Sequence, residues 1–251
     1  MFPRRLYAHR GASAERPENT MVAFQRAMEI GVDALEMDVH LTTDGHFIVV
    51  HDDSAMRTAG SPHVWSTLTL AEALRLDVGW GFVAPDGTRP FAGQGIRVPL
   101  FEDVLRAFPD VAINVDLKGA ESVGPMLELL RRLGAEDRVT LASFQTTTAV
   151  AVRRAGFAGS TALSQGEVAT LFAMPAVLWR QLPFTGTAAQ IPTHQGPLRF
   201  DRQPFIAKCH SLGLRVDFWT IDDVAEARRL VDLGADGIMT NDPAALKSLF
   251  G

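Results

Sequence analysis

Two segments of this chain each put charged residues on one side of a strand and an unbroken apolar row on the other. That pattern narrows the fold more than any other feature. In residues 34–41, Leu35, Met37, Val39 and Leu41 alternate with Glu36, Asp38 and His40. In residues 111–117, Val111, Ile113, Val115 and Leu117 alternate with Asn114 and Asp116, and Lys118 continues the polar row. Successive side chains of a strand point to opposite sides, so each segment has one apolar and one polar face. Strands of an open sheet covered by helices on both sides would be apolar throughout. A barrel strand instead turns one face to the helices and can turn polar groups into the barrel mouth.

The rest of the chain supports the same reading. Short apolar runs recur at residues 6–8, 139–142, 159–163, 214–219 and 237–240, each followed by helically spaced apolar residues. Strand and helix alternate, as in a parallel sheet. Three helices carry stop signals: Ala23, Phe24, Ala27 and Met28 precede Gly31; Met126, Leu129, Leu130 and Leu133 precede Gly134; and Val224, Ala227 and Val231 precede Gly234. Asp222 or Asp223 can cap the last of these, with Glu226 placed to complete a capping box on Asp223. The length of 251 residues matches one (β/α)8 TIM barrel, so a single domain over residues 1–251 is expected.

Residues 52–99 break the alternation. Glycines and prolines there separate Trp65, Trp80, Phe82 and Phe91, which reads as an insertion between the second and third barrel strands. We expect an ordered lid whose aromatics form the insertion's own small core, with contact to substrate as the lesser alternative.

Charge and cysteine content exclude several classes. A formal charge of -5 leaves no basic field for nucleic acid or an acidic membrane, so any phosphate must be gripped locally. Cys209 is the only cysteine, which rules out an intramolecular disulfide and fits a reducing compartment. The two arginines at the N-terminus are followed by a strand-like segment rather than an apolar leader, and no apolar run is long enough to span a bilayer. A soluble cytoplasmic protein without stable membrane insertion is the expectation; oligomeric state is not legible.

Glu36 and Asp38 point the same way from one strand, and two like charges buried together call for a cation or a proton. Asp116 is the natural third oxygen ligand, and Lys118 is placed as a cation for phosphate oxygens. Of the seven histidines, His9 and His51 each end a strand-like run, on the side where barrel active sites lie. Such a pair can supply an acid and a base near neutral pH. His40 shares the parity of Glu36 and Asp38 and is either a supporting group or a loop histidine.

The motifs that carry this chemistry resemble those of the glycerophosphodiester phosphodiesterases. The HRG of residues 9–11 and the PENT of residues 17–20 resemble the family's opening. Residues 31–38, 43–45 and 49–52 follow in its order and spacing, and Asn114, Asp116 and Lys118 match its N-x-E-x-K strand. Residues 218–220 and 234–240 resemble its last two strands, while the match is weakest at about residues 165–197. The resemblance implies His9 and His51 as the catalytic acid–base pair, and Glu36, Asp38 and Asp116 as ligands of one Mg2+ or Ca2+. It also implies Arg10 and Lys118 as phosphate clamps and Trp219 as an apolar pocket wall. The implied reaction hydrolyses a small phosphodiester to glycerol 3-phosphate and an alcohol, with a glycerol hydroxyl as internal nucleophile. Asp116 departs from the family's usual Glu and is similar to the sphingomyelinase D phospholipases, which keeps a lysophospholipid substrate open. A non-catalytic phosphodiester-binding protein would be expected to have lost one of these groups.

Overall fold

In a computed structural model, residues 2–179 and 186–251 are described. The strands are β1 Arg5–His9, β2 Ala34–Leu41, β3 Phe47–Val49, β4 Ala112–Leu117, β5 Val139–Ala142, β6 Ser160–Thr161, β7 Ala188–Ile191, β8 His194–Gln195, β9 Leu198–Arg199, β10 Arg215–Phe218 and β11 Gly237–Thr240. Eight of them run parallel in the order β6-β5-β4-β2-β1-β11-β10-β7. A parallel bridge between Ala162 and Ala188 brings the two ends of the order together, so the sheet closes as a TIM barrel.

The parity read from the sequence holds. Leu35, Met37 and Val39 of β2, and Ile113, Val115 and Leu117 of β4, belong to the main apolar core. Glu36, Asp38, Asn114 and Asp116 face the other way and are all buried. The same alternation continues round the barrel, but its lower interior is not wholly apolar. Tyr7, Arg215 and Asp217 meet there, with Arg215 donating to both Asp217 oxygens and the Tyr7 hydroxyl donating to Oδ2 at 3.2 Å. Gly237 makes room for this cluster, because a Cβ there would meet Asp217 Oδ1 at 2.3 Å.

The helices cover the outside through the faces expected of them. α1, Met21–Ile30, buries Ala23, Phe24 and Ala27, is capped by Thr20, and ends at Gly31 with φ 83°. Met126, Leu129 and Leu130 are likewise buried on the helix Val123–Leu133, which ends at Gly134. The helix Val224–Asp232 is capped by Asp223, which accepts from the Glu226 backbone N–H. The expected capping box is not formed, because the Glu226 carboxylate is taken by Arg229. Val224, expected on its inner face, is exposed, and Leu230 packs there instead.

Two expectations are corrected. The run ending at His51 is not a barrel strand: β3 pairs antiparallel with β2, with Val39 opposite Val49, after a turn through Gly45. β2 overshoots the barrel rim, and β3 returns the chain to the mouth. The insertion is also not a lid over the site. Ile48, Val50, Ala55, Trp65, Leu68, Ala73, Val78 and Val98 form its own small core. Phe82 and Phe91 pack edge to face, and Trp80 lies under the Arg89 guanidinium. Shortening the turn at residues 85–88 should therefore leave substrate preference unchanged; a substrate panel run on the shortened protein checks this, and a shifted preference would restore the lid.

Candidate active site

A cavity of about 460 Å3 opens at the C-terminal end of the barrel, a size suited to a small-molecule substrate. His9, Arg10, Glu36, Asp38, His51, Asn114 and Asp116 give it charged and polar lining. Phe144, Leu163, Val168, Ile191, Phe200 and Trp219 give it much of its apolar lining. None of Trp65, Trp80, Phe82 and Phe91 reaches it.

Register explains why the carboxylates meet. Glu36 lies opposite His9 on one side and Asn114 on the other, and Asp38 lies opposite Asp116. Three carboxylates thus share one low-dielectric corner, and their protonation shows the strain. Burial, then the Asp38 charge, pushes the Glu36 carboxyl well above the usual range. Asp116 is also raised, by burial, with Lys118 opposing. Burial acts on Asp38 in the same sense, but Lys118 and Arg10 outweigh it and hold that carboxyl low. Asp38 has both cations beside it: Lys118 Nζ is 3.0 Å from its Oδ1 and Arg10 Nε is 3.3 Å from its Oδ2.

Lys118 Nζ donates to both Asp38 Oδ1 and Asp116 Oδ2. Its ammonium stands between two carboxylates, and it does not line the cavity as expected of a phosphate clamp. Among the described residues no three His, Cys, Asp or Glu side chains are drawn together as metal ligands. The donor set nevertheless fits a hard divalent ion: buried carboxylate oxygens from adjacent strands, two of them with raised pKa and only an ammonium between Asp38 and Asp116.

Arg10 follows β1 in the left-handed region at φ 58°, an uncommon conformation for a side chain of its size. Its backbone N–H donates to the Glu36 carbonyl at 3.0 Å and lies 3.2 Å from Glu36 Oε2. The Nε N–H is buried, lies 3.3 Å from Asp38 Oδ2 without hydrogen-bond alignment, and has no other partner among the described residues. Gly11 is required next to it, since a Cβ would meet the Ala23 backbone at 2.7 Å.

Each imidazole is held by Nδ1, but by a different kind of acceptor. His9 Nδ1 is 2.8 Å from Asn241 Oδ1. Asn241 Nδ2 donates to Asp222 Oδ2 at 2.9 Å, and a carboxylate accepts only, so the amide turns its oxygen to His9. His9 therefore donates from Nδ1 and keeps the Nε2 lone pair for the site. Burial and the Arg10 charge hold its pKa below that of an ordinary imidazole. His51 Nδ1 instead meets the Asp52 carboxylate at 2.7 Å, which leaves Nε2 for the site. His40 is the supporting group: its buried Nε2 reaches the His51 carbonyl at 3.1 Å.

Sequence reasoning missed Asn241, Asp222, Asp52 and Phe144. Phe144 follows β5, packs edge to face on Trp219 at 5.5 Å, and extends the expected apolar wall.

The model of the glycerophosphoryl diester phosphodiesterase family matches residues 9–245. The chain belongs to this family. This phosphodiesterase is 30% identical to the glycerophosphodiester phosphodiesterase of Caldanaerobacter subterraneus subsp. tengcongensis, covering 97% of this chain and 96% of that protein. It is 29% identical to a lysophospholipase D of Rattus norvegicus, covering 98% and 86% respectively. Its fold is shared, at a TM-score of 0.81 and 22% identity, by an Oleispira antarctica phosphodiesterase solved with the product sn-glycerol-3-phosphate, with 98% and 96% of the two chains covered. The family match and these homologues identify it as an enzyme of this type. No helix among its described residues is long and apolar enough to cross a membrane.

Proposed function

We propose that the enzyme hydrolyses glycerophosphodiesters to glycerol 3-phosphate and an alcohol, with His9 and His51 as base and acid beside one divalent cation, Mg2+ or Ca2+. The observation that carries this reading is the unequal pair of imidazoles flanking three buried carboxylates in one cavity. Glu36, Asp38 and Asp116 would hold the ion, which when bound orients the diester and offsets charge on its oxygens. Arg10, which lines the cavity, supplies a cation for the phosphoryl group, while Lys118 is engaged by Asp38 and Asp116.

His9, held neutral, takes the proton of the glycerol hydroxyl next to the phosphate as that oxygen bonds to phosphorus. His51, oriented by Asp52, gives its proton to the departing alcohol as the P–O bond breaks. The roles then reverse. His51 takes a proton from water, the hydroxide opens the cyclic phosphate, and His9 returns its proton to the glycerol oxygen. Positioning the hydroxyl beside phosphorus supplies the proximity advantage.

A second substrate class is favoured by one observation, the apolar lining that Phe144, Phe200 and Trp219 give the cavity. That wall suits a lysophospholipid better than a small polar alcohol, in keeping with the similarity to the rat lysophospholipase D. Product analysis on a glycerophosphodiester panel beside lysophosphatidylcholine tests both. Release of glycerol 3-phosphate is the expected result from the panel, and release of a free head group from lysophosphatidylcholine would establish the second. Inertness toward all of them would contradict the proposal.

A further inference from the structure

A side chain of the insertion ties two groups of the site together. Arg57, on the short helix Met56–Ala59, donates from Nε to Asp52 Oδ2 at 2.7 Å. Its two terminal nitrogens donate to the two oxygens of Glu18 at 2.6 and 2.7 Å. Asp52 holds His51 through its other oxygen, and Glu18 Oε1 also accepts from Arg10 at 3.1 Å. All three nitrogens of the guanidinium are thus spent on two carboxylates, from the loop before α1 and from the exit of β3. The chain His51–Asp52–Arg57–Glu18–Arg10 joins the two loops that border the mouth. Planar bidentate pairing of this kind fixes geometry as well as charge.

We propose that Arg57 is a positioning residue that sets His51 and Arg10 in register across the cavity; this rests on the roles given to those two residues above. Arg57 does not line the cavity, so it acts only through its partners. It has two effects. By sharing Glu18, it keeps that carboxylate from pairing with Arg10 alone and drawing its guanidinium away from the substrate phosphate. By holding Asp52, it keeps that carboxylate directed at His51 Nδ1. Loss of Arg57 should therefore raise KM through Arg10 and lower kcat through His51. An ångström of misplacement at a reacting group is enough to cost about 100-fold.

Arg57→Met, Glu18→Gln and the double variant, assayed with metal-loaded protein well below the lowest melting temperature, test this. Each single change should reduce kcat/KM by about 10- to 100-fold, with both KM and kcat affected in Arg57→Met, and the double variant should lose little more than the worse single one. Singles within twofold of the unaltered enzyme, or losses that multiply, would overturn the proposal. Should Arg57→Met not fold, Arg57→Lys decides: one ammonium cannot span both carboxylates, so a lysine enzyme with full activity overturns it and an impaired one supports it. His51→Ala, run alongside, separates the two levels. An active His51→Ala enzyme refutes the proposed chemistry, whereas an inactive one beside fully active Arg57 variants refutes the positioning role alone.

Discussion

Replacing His51 by alanine is expected to reduce kcat about 10²- to 10⁴-fold, the range for losing a positioned acid or base, with the fold retained. His51 lies at the cavity mouth, with about a third of its side chain exposed, and its Nδ1 bond is to a carboxylate that Arg57 also satisfies. Removing the ring leaves no buried group unpaired, so the melting temperature should move by no more than about 2 °C. His9→Ala should lose as much activity but cost about 1 kcal/mol more stability, because His9 is more deeply buried and its loss takes away a partner of Asn241. Melts and turnover measured on the same preparations check both. An active His51→Ala protein would remove that imidazole from the mechanism.

Glu36→Gln should separate stability from activity. The Glu36 carboxyl is raised in the fold by burial and by Asp38, so the metal-free folded state favours its protonated form. Its contribution to stability is fully present below the unfolded carboxyl value and is lost as pH rises through the higher folded one. Glutamine mimics the protonated form at every pH, and its oxygen can still face the Arg10 backbone N–H now near Glu36 Oε2. In chelator, the variant should therefore melt above the unaltered protein at neutral and alkaline pH, by about 2–4 °C for each kcal/mol relieved, and the two curves should converge in acid. With metal, its activity should fall by more than the roughly 10- to 100-fold typical of losing an outer partner of a metal ligand. Parallel melting curves for the two proteins would show that no such repulsion is stored at Glu36.

The parts of the fold written in alternation were legible. β2, β5 and β11 have the bounds that the apolar runs suggest, and the polar parity of β2 and β4 is enough to put Glu36, Asp38 and Asp116 on the inward face. β7 was not legible. Its four residues, Ala188–Ile191, include two alanines and a glutamine and carry little of the β-branched signal that marks a strand. The direction of β3 was not legible either, because alternation records which face a residue takes and not which way the strand runs. Thr43, Asp44 and Gly45 were the local sign of a reversal.

Side-chain partners over long separations were the hardest to read. Asn241 meets His9 from 232 positions away, and Arg57 meets Glu18 across 39. Nothing periodic in the chain points from one to the other, and only barrel closure and the return of β3 bring them together. The aromatics of the insertion were read correctly as packing mainly within it, and it is their contact with substrate that is not seen. Their number signalled a core, and the core is the insertion's own.

The central claim is that a divalent ion held by Glu36, Asp38 and Asp116 serves diester hydrolysis by His9 and His51. It is tested most directly by following glycerophosphodiester turnover by 31P NMR in protein stripped with EDTA and then refilled with Mg2+ or Ca2+. The account predicts no conversion in the stripped protein and glycerol 3-phosphate as the final signal once the ion is restored. Full turnover in excess EDTA would contradict it.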